Sequence, residues 1–255
     1  MHDPRNGLRV SERDIRALTF IGEGYEVAQY QLHAAIFPNV SAVVVSHFVT
    51  RAVRNGWIAV ERWNRVGINR LRLTEAGRQV VLRAGGDPVA LFVPKKAVAS
   101  KDVAHTLWIN DVRVALGAIR PHFDAILPAW QLQRRFVPPP AAIPDVLALS
   151  GERNDSADLV LAFEIDLGGE RLARTFLPKL RTLHRLVQEW SNDAALAMTL
   201  VLTTTANRAV AINRVAIAEQ LSLTAETIPA TAGPDGARFV AAIVSAVLSP
   251  SIRSN

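Results

Sequence analysis

Three carboxylates in the second half of the chain, Asp145, Glu164 and Asp166, have the types and spacing that a divalent-cation site uses. Asp145 follows Pro144 at the head of one apolar run, and Phe163-Glu164-Ile165-Asp166 closes the next. Turn residues crowd the segment Gly151–Asp155, and a hairpin centred there pairs residues whose numbers sum to about 309. Asp145 then stands opposite Glu164. Strand alternation puts Asp166 on the face of Glu164, with Phe163 and Ile165 on the other. Oxygen donors converging beside an apolar sheet face suit Mg²⁺, which activates water for phosphodiester cleavage. Ordinary turn or cross-strand contacts of Asp145 and Glu164 are the competing reading.

A second constellation is basic. Residues 40–83 hold eight Arg against two acids, Glu61 and Glu75, so one short segment carries the whole net charge of +6. A localised cationic patch is what a polyanion partner requires, although a solvated basic surface has the same composition. Ser41 can cap a helix running to Asn55. Along it Val45, Phe48, Val49, Ala52 and Val53 make an apolar stripe, while His47, Thr50, Arg51 and Arg54 lie opposite. One stripe packs and the other offers donors and cations to base edges and phosphates, Arg51 and Arg54 foremost. The next segment adds Arg62, Arg65, Arg70 and Arg72, with Arg65 near a turn and Arg70 and Arg72 on a common strand face. Ser41, His47, Thr50, Arg51, Arg54, Arg62, Arg65, Arg70 and Arg72 are the candidate DNA-binding set.

The elements that must hold these groups can be read in order. Ser11, with Glu12 and Asp14 in the first turn, opens a helix to about Ile21. Further helices are expected over 26–37 and 41–55, strands over 57–63 and 68–73 joined by Asn64-Arg65-Val66-Gly67, and a helix over 74–84. This order is that of a winged helix-turn-helix, residues 10–86. Residues 87–101 read as a linker, and 102–248 as a second domain. There, helices are expected over 102–119, 171–190, 208–221 and 237–248, and strands over 125–133, 143–149, 159–167, 196–204 and 224–229. Pro178 should kink the second of these helices or mark its true start. The pattern is α/β around a mixed central sheet, α+β for the chain as a whole.

Several chemistries lose support. The chain has no cysteine, which removes disulfides, thiolate zinc sites and thiol nucleophiles. Its histidines lack metal-ligand spacing, Gly22-Glu23-Gly24 lacks the lysine of a phosphate loop, and no G-x-S-x-G elbow occurs. The first residues have no signal-peptide core and no apolar run is long enough to span a bilayer, so a cytoplasmic protein without membrane contact is expected.

Pro144-Asp145 followed by Glu164-Ile165-Asp166 after a hairpin resembles the PD-(D/E)XK nuclease superfamily. The combination with a winged helix resembles the replication-relaxation family of plasmids and integrative elements. Carrying that resemblance are Ala104-His105-Thr106-Leu107-Trp108-Ile109-Asn110-Asp111, Pro144-Asp145, Phe163-Glu164-Ile165-Asp166-Leu167-Gly168-Gly169 and Lys179-Leu180, over roughly residues 10–205. The resemblance implies a sequence-specific protein of double-stranded DNA, a transcriptional regulator or an accessory to replication or transfer. It implies a homodimer, or contact with a replication or transfer protein, with the nuclease-like domain kept for binding or dimerisation and no cofactor required. The alternative it implies is a Mg²⁺-dependent endonuclease using Asp145, Glu164, Asp166 and Lys179. Asp166 stands where the nuclease pattern places lysine, Lys179 is the candidate substitute, and Gln131 and Gln133 fall where a further acid is sought. His105 and Trp108 are either cleft-lining or packing residues.

Overall fold

A computed structural model describes residues 2–3, 8–63, 67–99, 101–119, 123–136, 141–150, 159–191, 196–230 and 232–252. The chain divides into two compact units, residues 1–110 and 111–255.

The first unit opens with two-residue strands, β1 (His2–Asp3) and β2 (Leu8–Arg9), paired antiparallel. Helix α1 (Glu12–Glu23) begins in a reciprocal cap: the Asp14 amide donates to Ser11 Oγ (3.2 Å) and the Ser11 amide to Asp14 Oδ2 (3.0 Å). Then come β3 (Val27–Ala28), α2 (Gln29–Ile36), α3 (Ala42–Arg54), the hairpin strands β4 (Ile58–Trp63) and β5 (Ile68–Leu73), and α4 (Glu75–Arg83). The expected helix over 26–37 thus begins only at Gln29. Val27 and Ala28 pair antiparallel with Leu71 and Arg70, making a three-stranded sheet in the order β3-β5-β4. Two residues are too few to show a period, which is why the strand was hidden.

Leu18, Ile21, Leu32, Phe48, Ala52, Trp57, Leu71, Leu73 and Val81 form the core of this unit. Helix α4 is capped by Thr74, whose Oγ1 accepts from the Gly77 amide at 3.1 Å. It lies so close to the hairpin that a Cβ on Gly77 would sit 2.1 Å from the Trp57 carbonyl oxygen, so only glycine permits this approach. The irregular stretch after α4 packs on the same unit: Leu91 is buried, and the Phe92 ring stacks on Tyr25 with centroids 4.4 Å apart.

The second unit begins at Asp111, within α5 (Val103–Ala118). It holds β6 (Ala125–Pro128), α6 (Ala129–Arg135), β7 (Val146–Ser150), β8 (Leu159–Asp166), α7 (Leu177–Ser191), β9 (Leu196–Thr203), α8 (Ala206–Ala218), β10 (Leu223–Thr227) and α9 (Gly236–Ile252). The sheet order is β10-β9-β8-β7-β6, antiparallel from β6 to β8 and parallel from β8 to β10. Val146 faces Phe163 and Leu147 faces Ala162, the register expected from the hairpin; its turn, 151–158, lies outside the described residues.

One expected strand is corrected. The run 125–133 is extended only to Pro128 and then turns into α6, so Gln131 and Gln133 are helical. Pro128 has no amide to continue a ladder and sits well at a helix entry, and Ala-Trp-Gln-Leu-Gln-Arg-Arg are mostly good helix formers. Pro178 lies in the first turn of α7, where proline is tolerated, and a π-helical turn (Leu172–Phe176) leads into it. Phe176, Leu180, Leu183, Val201, Ala209 and Ile212 pack α7 and α8 on the sheet. Parallel neighbours need crossovers, so α7 and α8 each start beside the carboxyl end of the strand before them.

Candidate nucleic-acid interface and carboxylate site

Helix α3 packs by one face. Val45, Phe48, Val49 and Ala52 are buried, and His47, Thr50 and Arg54 are exposed. Val53, expected in the packing stripe, is 44 % exposed instead. Ser41 occupies the N-cap position in extended conformation, but its side chain makes no capping bond. The hairpin is tied to this helix through α2: Asn69 Nδ2 donates to Gln29 Oε1 (3.2 Å), and Gln29 Nε2 donates to Ser46 Oγ (3.1 Å).

The arginines divide. Arg54 and Arg62 are exposed, and Arg72 is half-buried. Arg51 is half-exposed and its guanidinium donates to Asp14, a carboxylate that is itself almost wholly buried. Arg65 lies outside the described residues. Arg70 departs from the expected outward face: it is 5 % exposed, and its guanidinium donates to Glu26 Oε2 at 2.6 Å, with Glu61 at 3.6 Å. Glu26 Oε1 also accepts from the Val98 amide at 3.2 Å. Burial pushes the Glu26 carboxyl above its ordinary range, only partly offset by Arg70. Arg70 therefore holds a core together and is not presented for phosphate. Asp14 and Glu26, the partners of Arg51 and Arg70, were missed in the sequence because each meets its arginine across more than 30 residues, at separations of 37 and 44.

In the second unit, Asp145, Glu164 and Asp166 are all buried. Asp145 precedes β7 and its Oδ2 accepts from the Ile165 amide at 2.8 Å. Glu164 Oε1 accepts from Lys179 Nζ, while Glu164 Oε2 is buried without a hydrogen-bond partner. Asp166 accepts from the Gly168 amide (2.9 Å) and from Arg208 Nε. Arg208 lies over the Phe176 ring, 5.2 Å from its centroid. Lys179 and Arg208 are each the third residue of the helix that follows a parallel strand, which brings both to the carboxyl ends of β8 and β9. Arg208 was not singled out in the sequence, where it opens the helix expected over 208–221, and its pairing with Asp166 across 42 residues leaves no local signal.

The electrostatics follow from burial. Glu164 is held well above the ordinary carboxylate range, first by desolvation and then by the charge of Asp145, against the pull of Lys179. Burial alone would lower Lys179, but Glu164 and Asp145 outweigh it and raise it. The expected convergence of three acids on one ion is replaced by a pair, Asp145 and Glu164, with Lys179. Asp166 is drawn to Arg208, and among the described residues no three of His, Asp and Glu form a metal-ligating group. Trp108 is fully buried, a packing residue, and His105 is half-buried. No helix among the described residues is long and apolar enough to cross a membrane.

A protein family described as replication-relaxation matches residues 18–211, about three quarters of the chain. No curated protein and no solved structure matches it.

Proposed function

The chain belongs to the replication-relaxation family, and from that premise we propose that it binds double-stranded DNA through its first unit, as a winged helix acting in the replication, transfer or control of a mobile element. The observation that carries this reading is α3. It is packed on one face only, its other face is open, and it lies within a segment of eight arginines and two acids. The hairpin would act as the wing. Its attachment to α3 through Asn69, Gln29 and Ser46 would fix the two reading elements relative to each other. Arg54 and Arg62 are the cations best placed for phosphate. Replacing both by alanine should weaken binding to all duplexes alike. It should also flatten the dependence of log K on log salt by about 2, near one unit per lost phosphate contact. Fluorescence anisotropy over a salt series measures this, and an unchanged slope would remove both residues from the interface.

A second reading, a metal-dependent nuclease, is favoured by one specific observation. Lys179 reaches Glu164, where it would stand in for the lysine that Asp166 displaces from the nuclease pattern. The orphaned Oε2 of Glu164, beside Asp145, fits a divalent ion, because Mg²⁺ keeps several waters and needs only one or two carboxylates. Asp145 and Glu164 would hold it, and a bound Mg²⁺ supplies a more acidic water. Supercoiled plasmid with Mg²⁺ or Mn²⁺ tests the reading. Nicking by the wild type that disappears in Glu164→Ala supports it. Intact plasmid under conditions where the protein shifts DNA leaves the second unit a binding or assembly domain.

A further inference from the structure

We propose that the open face of α3 reads thymine C5-methyl groups, with Val43 and Thr50 as the contacts; this rests on the DNA-binding reading above. Recognition helices reach base edges mainly with the residues of their N-terminal half. In α3 the exposed residues there are Ala42, Val43, Ser46 and His47, with no lysine or arginine among them. The cations come later. Arg51 is committed to Asp14, and Arg54 is the last residue of the helix. Bidentate pairing with guanine needs an arginine fork free at the centre of the groove, and neither residue meets that condition.

What the face offers instead is methyl groups. Val43 is 60 % exposed. It does not belong to the core, and it lies on a helix whose other face is closely packed. Thr50 adds a second methyl-bearing side chain two turns on, and the spacing 43, 50 keeps both on the open side. Ser46 is already engaged, since its hydroxyl donates to the Ala42 carbonyl (3.1 Å) and accepts from Gln29 (3.1 Å). The one apolar feature that a base pair displays in the major groove is the thymine methyl. The exposed Arg54 and Arg62 supply the attraction to phosphate that makes DNA, rather than an apolar protein surface, its occupant.

The test begins with selection of bound duplexes from a short random-sequence pool by the full-length protein. The selected duplex is then resynthesised with deoxyuridine in place of each thymidine in turn, which deletes the methyl and nothing else. One or two positions should each weaken binding about four-fold, the effect of one buried methyl-sized group. Val43→Ala should abolish the penalty at one of those positions while leaving the melting temperature unchanged, because the side chain is exposed. Selective binding that is indifferent to every uridine substitution overturns the methyl reading and leaves the DNA-binding one standing. Failure to retain any duplex, even at low salt, overturns both. A Val43→Ala protein that binds the selected duplex as before but loses self-association in sedimentation assigns the face to protein contact and also overturns the inference.

Discussion

Replacing Arg70 by alanine should cost the first unit about 3–5 kcal/mol, the usual consequence of leaving one partner of a buried ion pair without its counter-charge. That is a large part of the total stability of a domain, about 5–15 kcal/mol. Arg70 and Glu26 have side chains only 6 % and 2 % exposed, so solvent cannot take the place of the missing guanidinium. Burial already holds Glu26 above its ordinary range. A carboxyl raised in the folded state favours folding most below its unfolded value and loses that contribution as pH rises through the folded value. The Arg70→Ala defect should therefore be larger at pH 8 than at pH 5. The double variant Glu26→Gln with Arg70→Met should recover much of the loss, because both charges leave together. Urea unfolding followed by tryptophan fluorescence reads all three proteins. If Arg70→Ala unfolds like the wild type and only binds DNA more weakly, the residue belongs on the wing surface and the core assignment is wrong.

The contrast between Arg70 and Arg62 shows where sequence reasoning stops. Alternation along a strand says which residues share a face, but not which face another segment covers. Arg70 is enclosed partly by Glu26 and by the Val98 region, a stretch with no period to reveal that it packs. The same limit explains β6, where Trp130 and Leu132 alternate as a strand would but belong to a helix entered at Pro128. Where a local constraint sets the geometry, reading succeeds. The Ser11–Asp14 cap is local, and the β7–β8 register follows from a hairpin centre and the two-residue period. The carboxylate site was legible to the extent that it rests on that register. Asp145 and Glu164 come together from the hairpin. The pairing of Asp166 with Arg208, 42 residues away across a parallel crossover, is announced by no strand pattern.

Removing the cation from the carboxylate pair should be the most damaging single change in the second unit. In Lys179→Met the methylene stem is largely kept and the ammonium is lost, leaving Asp145 and Glu164 buried with one positive group fewer. Breaking a buried pair in this way costs about 3–5 kcal/mol if the remaining charge persists. Glu164 can escape part of that cost by taking up a proton, and its carboxyl is already held well above the ordinary range by burial and by Asp145. The sign follows from linkage. The raised carboxyl contributes most below its unfolded value and loses its contribution as pH climbs through the folded one. Lys179→Met raises Glu164 further, so its stability should go on falling to higher pH than the wild type's, at roughly 1.4 kcal/mol per pH unit while Glu164 titrates. Glu164→Gln added to Lys179→Met should flatten the profile, since an amide has no proton to gain. Mg²⁺ should stabilise the Lys179→Met protein more than the double variant if Asp145 and Glu164 can share an ion, because a ligand stabilises the state that binds it. A Lys179→Met protein with the same pH profile as the wild type would show that the ammonium does not govern the protonation of Glu164, and would remove the electrostatic basis of the site.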